Sequence, residues 1–207
     1  MSSNKIVLSV GADVKNAYIA GMGSRISWKP DYHQYFMKEA GEEHYKLLAH
    51  LSSQLPKGTQ VVDLGTLYGS SALALASNPD VSVVTYDIHE CIPDKYKAMS
   101  VLGLPNVKQI IKDGVEAVTD YASFTPLIVL DIDPHDGVQE KRTIEALIKQ
   151  GYQGVVVCDD INLNDGMKAF WQWVPAEIKK YDVSKYGHWS GTGILVFDPE
   201  VVDVTIQ

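Results

Sequence analysis

Val61-Val62-Asp63-Leu64-Gly65-Thr66-Leu67-Tyr68-Gly69-Ser70 is the stretch that decides the fold. Its apolar start reads as a strand, its two glycines punctuate a turn, and residues 71–76 continue at helical spacing. Downstream, residues 81–87, 107–111, 127–131 and 154–158 read as further extended runs, with 139–149 helical before the last of them. Such alternation predicts a parallel sheet with helices on both faces. Upstream, Tyr45, Leu48, Leu51 and Leu55 recur at helical spacing within residues 42–55, and Pro56-Lys57-Gly58 stops that helix. Near the end, residues 181–186 and 194–197 are extended and flank the turn-rich Gly187-His188-Trp189-Ser190-Gly191-Thr192-Gly193, which suggests a closing antiparallel hairpin.

With 207 residues, 45% of them hydrophobic and 21% charged, one α/β domain with a sizeable core is expected. No repeat or linker divides it, so residues 1–207 are read as a single domain: a loop-rich lid or acceptor segment over 1–41, with a possible strand at residues 5–10, and a core over 42–207. A formal charge of -8 opposes nonspecific attraction to nucleic acid or an anionic bilayer, so small molecules are the expected partners. Cys91 and Cys158 are the only cysteines, and Cys158 lies in a buried-strand pattern, which fits a reducing compartment rather than a disulfide framework. Met1-Ser2-Ser3-Asn4-Lys5 leads only into Ile6-Val7-Leu8, too brief for a signal core, and no later run is long enough to span a bilayer. The expectation is a soluble, cytoplasmic protein.

In an open parallel sheet, ligands bind beyond the carboxyl ends of the strands, where the first strand-to-helix loop meets them. Gly65 and Gly69 belong to that loop, with Thr66, Tyr68 and Ser70 between and beside them. Their spacing departs from the G-x-G-x-x-G of dinucleotide-binding turns, and Asp63 just before them suits an ammonium or a water-bridged amino group better than a pyrophosphate. Asp87 ends the next strand, where a carboxylate can accept hydrogen bonds from both ribose hydroxyls. Asp113-Gly114 follows the third strand and is placed to reach an adenine amino group, while Ile88, Ile111 and Val115 supply apolar contacts to the ring. Any one of these is also an ordinary turn or cap residue; their order along the chain favours an adenosyl cofactor.

Residues 61–76 resemble the first motif of class I S-adenosylmethionine-dependent methyltransferases, and Thr85 to Asp87 the second. The resemblance covers most of residues 42–197. It implies a Rossmann-like fold with a seven-stranded sheet of order 3-2-1-4-5-7-6, strand seven antiparallel, in agreement with the terminal hairpin.

Asp131 follows the fourth strand and Asp159-Asp160 the fifth, so adjacent strands aim acids at one rim. Asp159 and Asp160, as neighbours on a strand, point to opposite faces unless the backbone bends where the strand ends. Clustered carboxylates repel one another, and Mg²⁺ or Mn²⁺ held by Asp131, Asp159 and Asp160 offsets that cost. Such an ion would lower the pKa of an acceptor hydroxyl; His135 is the candidate general base and Asp131 its competitor, with Asp133 an outer partner. These residues resemble the metal-dependent sugar O-methyltransferases of the macrocin type and cephalosporin-hydroxylase-like proteins, in which an acid after strand four and an acidic pair after strand five hold Mg²⁺. The likeness extends to Gly191-Thr192-Gly193-Ile194-Leu195-Val196-Phe197. Pro134-His135-Asp136 departs from that group's usual segment after the first acid, which leaves the choice of base open.

The implied acceptor is a small molecule or glycan with vicinal hydroxyls, a deoxysugar such as rhamnose by similarity to glycan methyltransferases, including those of large algal viruses. Catechol-type O-methyltransferases share the metal logic, but their Asp-Asn pair is not matched by Asp159-Asp160. A metal-dependent glycosyltransferase using Asp131-x-Asp133 is the other alternative; it leaves Asp63, Gly65, Gly69 and Asp87 without a role. Trp28, Tyr32, Tyr35, Phe36, Trp171, Trp173 and Trp189 are stacking candidates, although Met167, Phe170, Trp171, Val174 and Ile178 recur as the buried face of a helix. His188-Trp189 in the final turn is the better candidate for the rim. Arg25 and Lys29 suit the phosphates of a nucleotide-linked acceptor. The amino-terminal segment either closes over its own site or packs across a homodimer.

Overall fold

The computed structural model describes residues 5–207; the opening Met1-Ser2-Ser3-Asn4 lies outside them. Among the described residues β1 (Ile6–Val10) starts the chain, followed by the short helices α1 (Met22–Arg25) and α2 (Pro30–His33). Then come α3 (Tyr45–Ser53), β2 (Gln60–Leu64), α4 (Ser70–Leu75), β3 (Ser82–Asp87), α5 (Asp94–Lys97), β4 (Val107–Ile111) and α6 (Val118–Tyr121). The second half runs β5 (Leu127–Leu130), α7 (Val138–Lys149), β6 (Val155–Cys158), α8 (Asp165–Trp173), β7 (Lys179–Asp182), β8 (Gly193–Val196) and β9 (Val202–Ile206).

Seven strands form one sheet in the order β4-β3-β2-β5-β6-β8-β7. Counted from β2 as the first, this is the order expected from the sequence. Strand β8 runs antiparallel to both its neighbours, and the remaining pairs are parallel. The central strands read as unbroken apolar runs because both faces are covered. Alternate side chains divide between two cores. Val61, Val83, Leu127, Val129, Val155, Val157, Ile194 and Val196 face the side that carries α3 and α4. Val62, Leu64, Tyr86, Ile128, Leu130, Val156, Cys158 and Leu195 face the side of α7 and α8. Each fully buried Val or Leu in these layers contributes roughly 1.5–3 kcal/mol relative to exposure.

The strand expected over residues 5–10 forms as β1, at the start of the loop-rich amino-terminal segment. β1 pairs in parallel with β9 in a separate two-stranded sheet. Val202 and Val204 are buried while Asp203 between them is less so, the alternation of a strand with one face covered. No helix among the described residues is long and apolar enough to cross a membrane.

Candidate functional site

A cavity of about 560 Å³ opens at the carboxyl ends of β2, β3, β4 and β5, lined by Gly65, Asp87, Ile88, Asp113 and Gly114 among others. These residues, together with Val115, Asp131, Asp133 and His135, are all read from the sequence and come together at one opening. At Gly65 φ is +103°, and a Cβ there would lie 1.7 Å from the carbonyl oxygen of Asp131, so only glycine lets the turn pass that close to the next strand. Gly69, at φ +85°, presses on Val101, 2.2 Å from where a Cβ would be, and packs the turn against the protein rather than facing the cavity.

Asp87 holds the turn in place: its carboxylate accepts from the backbone N–H of Leu67 at 2.9 Å and of His89 at 3.0 Å. Each carboxylate oxygen keeps a second lone pair, which suits it to a pair of ribose hydroxyls. Asp113 accepts from the N–H of Val115 at 2.8 Å and is fixed in the same way. Ile88 is 60% exposed at the mouth, an apolar wall with nothing on its outer face.

Asp63, Thr66, Tyr68 and Ser70 do not line this cavity. Asp63 corrects the sequence reading most clearly. It lies on the α3–α4 face of β2, fully buried, opposite Thr85 in the sheet register, and Thr85 Oγ1 donates to it at 2.7 Å. Strand alternation turns Asp63 away from the opening that its neighbours Leu64 and Gly65 reach. Burial raises its pKa from 3.8 to about 6. Thr66 shares a 2.6 Å hydrogen bond with Thr85, and Ser70 is buried at the start of α4. Tyr68 is packed by the amino-terminal segment, edge-on to Trp28 and Tyr32 at 5.7 and 4.5 Å between ring centres.

That segment also accounts for most of the stacking and phosphate candidates. Phe36 is buried against Tyr45, Trp28 stacks on Tyr96, and Lys29 Nζ stands 4.7 Å from the centre of the Tyr68 ring. Arg25 donates to the carbonyls of Ala98 and Ser100, both at 3.1 Å, so it braces backbone instead of standing ready for a phosphate. Phe170 is buried and Trp171 packs over Gly193, whereas Trp189 is 69% exposed beside His188.

Next to the cavity lies a cluster of acids and histidines. Leu130 and Cys158 are partners in the sheet register, so the residues that follow them, Asp131 and Asp159, leave the rim side by side on the α3 face. The residue before α3 is His44, 2% exposed, and its Nδ1 sits 3.0 Å from Asp159 Oδ1. Ligand atoms of His44, Asp131 and Asp159 all lie within 4.8 Å of one another, as do those of Asp159, Asp160 and His188. Asp159 is thus common to two groups, and the three aspartates are linked through it rather than meeting at one point.

Asp160 reaches the same side because its backbone bends, with φ at +57°, a left-handed conformation that side chains seldom adopt. It accepts from His188 Nδ1 at 3.0 Å and from the Ser190 hydroxyl. Burial works to raise the Asp160 pKa, but those hydrogen bonds outweigh it and hold the group below its usual range. Burial alone would depress both histidines; the carboxylates reverse this. His44 is raised to about 9 by Asp159, and His188 to about 10 by Asp160, Glu43 and Asp159. Glu43 Oε2 lies 3.4 Å from His188 Nε2. Asp131 is pushed well above the usual carboxylate range by desolvation and by Asp159.

His135, also left-handed at φ +54°, projects its Nε2 among Asp131, Asp133 and Asp160 at 3.7, 3.5 and 3.7 Å. Its Nδ1 faces the buried Glu140 at 3.9 Å, and the Asn164 side chain holds its carbonyl at 2.8 Å. The sequence does not single out Glu43, His44, Ser190 or Glu140, and it marks His188 only as a rim residue. The available signal was Glu43-His44 directly ahead of the helix that leads into β2.

These donors suit a divalent cation. Asp159 Oδ1 and both ring nitrogens of His44 are buried without an aligned hydrogen-bond partner, and hard oxygen with imidazole nitrogen is a common donor set for such ions.

No family model and no curated protein matches the chain. Solved structures do. The S-adenosylhomocysteine-bound methyltransferase PaMTH1 of Podospora anserina aligns over 74% of this chain and 77% of its own, at TM-score 0.57 and 17% identity. The fold is the class I methyltransferase fold. Cofactor-bound Rv0187 from MTB aligns over 74% of this chain and 78% of its own, with TM-score 0.55 and 19% identity. A Staphylococcus aureus protein described as a caffeoyl-CoA O-methyltransferase gives 67% and 76%, TM-score 0.51 and 14% identity. Spermidine synthases share the architecture too, so the fold by itself does not name the group transferred.

Proposed function

We propose that this chain transfers a methyl group from S-adenosylmethionine to a hydroxyl of a sugar, free or within a glycan, with neighbouring hydroxyls on the acceptor. The observation that carries this reading is the position of Asp131, which lines the cavity and also belongs to the acid–histidine cluster. A nucleoside held by Asp87 and Asp113 would therefore present its sulfonium methyl towards the very group that orients the acceptor. The neighbours bound to S-adenosylhomocysteine or cofactor add support for that ligand class in this fold.

Asp131, Asp159 and Asp160 are the residues that would hold Mg²⁺ or Mn²⁺. Such a cation, when bound, offsets the clustered negative charge and lowers the pKa of an acceptor hydroxyl. Asp131 and His135 are the groups placed to take the hydroxyl proton. Asp131 lines the cavity, and His135 Nε2 stands 3.7 Å from both Asp131 and Asp160. S-adenosylmethionine, when bound, would supply an electrophilic methyl carbon, and loss of the proton would let the acceptor oxygen displace it in line, the new O–C bond forming as the C–S bond breaks with the thioether sulfur as leaving group. Positioning accounts for much of the rate in such a displacement, since little else is required of the protein. Trp28, Tyr32 and Tyr68 pack on one another, and the exposed Trp189, beside His188, is the residue that would stack on an acceptor ring.

The test is transfer of tritiated methyl from S-adenosylmethionine to a panel of rhamnose, other deoxysugars, sugar nucleotides and catechol, with Mn²⁺ present. Label in a sugar ether is expected. Label confined to catechol replaces the sugar by the catechol-type alternative. Absence of transfer together with hydrolysis of a sugar nucleotide would remove the methyltransferase reading altogether.

A further inference from the structure

We infer that His44 is a direct ligand of the divalent cation, in one coordination sphere with Asp131 and Asp159, and that the site selects a transition ion such as Mn²⁺ over Mg²⁺. This rests on the metal reading given above and revises its ligand set: His44 enters, and Asp160 joins only if its bonds to His188 and Ser190 give way. Of the two groups that share Asp159, the one with His44 is the less satisfied: His44 Nδ1 and Asp159 Oδ1 form an ion pair at 3.0 Å that is not aligned as a hydrogen bond. His44 is only 2% exposed, and neither of its ring nitrogens has an aligned hydrogen-bond partner; Asp159 Oδ1 is in the same condition. By contrast, Asp160, His188 and Ser190 satisfy one another, and Asp160 would reach an ion only by breaking those bonds.

The geometry of the His44 group is close to what coordination needs. Two donors at about 2.1 Å from one ion are at most about 4.2 Å apart. The ligand atoms of His44, Asp131 and Asp159 already lie within 4.8 Å of each other, so a contraction of less than about 1 Å brings them onto a common centre. Side-chain rotation supplies that, because the backbone positions are fixed by the sheet register and by the start of α3. The nitrogen matters for selectivity. Mg²⁺ favours carboxylate, carbonyl and water oxygens, whereas imidazole favours first-row transition ions. A three-aspartate site would have no such bias. The competing role for His44 is that of a counter-ion to Asp159, touching the carboxylate but never an ion.

Pulsed electron paramagnetic resonance on the full chain loaded with Mn²⁺ separates these. Nitrogen modulation from a coordinated imidazole is expected in the wild-type protein, together with Mn²⁺ affinity about tenfold or more above that for Mg²⁺ by calorimetry. His44→Ala is expected to erase the modulation and weaken Mn²⁺ binding by about tenfold or more, with S-adenosylhomocysteine binding retained as the check on folding. Bound Mn²⁺ without nitrogen modulation, or with unchanged affinity in His44→Ala, overturns the ligand role while leaving the metal reading in place. If the wild-type protein binds no Mn²⁺, both fall. Should His44→Ala fail to fold, the wild-type spectrum still decides.

Discussion

Replacing Asp63 by Asn should change stability by an amount that depends on pH in a defined direction. Burial raises this carboxyl from 3.8 to about 6, so the folded state holds the proton more tightly than the unfolded chain. A raised folded pKa contributes stability that is fully present below about 3.8 and is lost as pH rises through about 6. Each tenfold change in proton affinity corresponds to about 1.4 kcal/mol, so the full effect is about 3 kcal/mol. Between pH 4.5 and pH 8.0, about 2 kcal/mol of it is removed from the wild-type protein. The introduced amide cannot titrate, so Asp63→Asn should gain about 2 kcal/mol relative to wild type over that interval. Any fixed difference in the hydrogen bond from Thr85 is the same at both pH values and cancels. Urea unfolding of both proteins at the two pH values measures this double difference. An unchanged gap between the curves would refute the argument that Asp63 is a buried structural carboxylate, and a gap of opposite sign would mean that the ionised form is the one the fold stabilises.

Gly65→Ala should abolish binding of S-adenosylhomocysteine in calorimetry: clearing even a 3.0 Å contact with the Asp131 carbonyl needs a backbone shift of about 1.3 Å, enough to spoil both the turn and the acid beside it. Near-normal affinity in that variant would show that the turn is not a cofactor contact. Asp87→Ala should weaken cofactor binding by roughly tenfold to a hundredfold, since it removes a charge-assisted acceptor and frees the N–H of Leu67 and His89; unchanged affinity rules out the ribose role. Asp131→Ala and Asp160→Ala should each eliminate methyl transfer with cofactor binding largely intact, and EDTA should do the same. Full turnover in EDTA would end the metal mechanism.

Much of the architecture is legible from local pattern. The runs that became β2 to β6, the helices α4 and α7 and the closing antiparallel pair are encoded by periodicities of a few residues, while α5 and α6 were not legible in this way, and the sheet order follows from the resemblance carried by residues 61–76. The pairing of β1 with β9 was not legible, because it joins the two ends of the chain and neither strand signals its partner. At the site the same division holds. Asp87, Asp113, Asp131 and Asp159 stand at strand ends, and a parallel sheet brings strand ends to one rim whatever the details.

Which way each side chain faces there is a different matter, and it is settled by packing between distant segments. Asp63 reads as a cofactor residue from its place beside the glycines, yet alternation along β2 sends it under α4 to Thr85. Asp159 and Asp160 become useful together only through a left-handed backbone at Asp160. His44 and His188 come from a helix start and a hairpin turn far away in the chain, and they meet the aspartates because the covered face of the sheet presents both. The sequence alone determined which runs become strands and that acids stand at their ends, since both follow from short-range periodicity, and the resemblance carried by residues 61–76 implied the order of the strands. Only the tertiary structure decided which donors face one another, because that depends on how independently formed layers pack across the sheet.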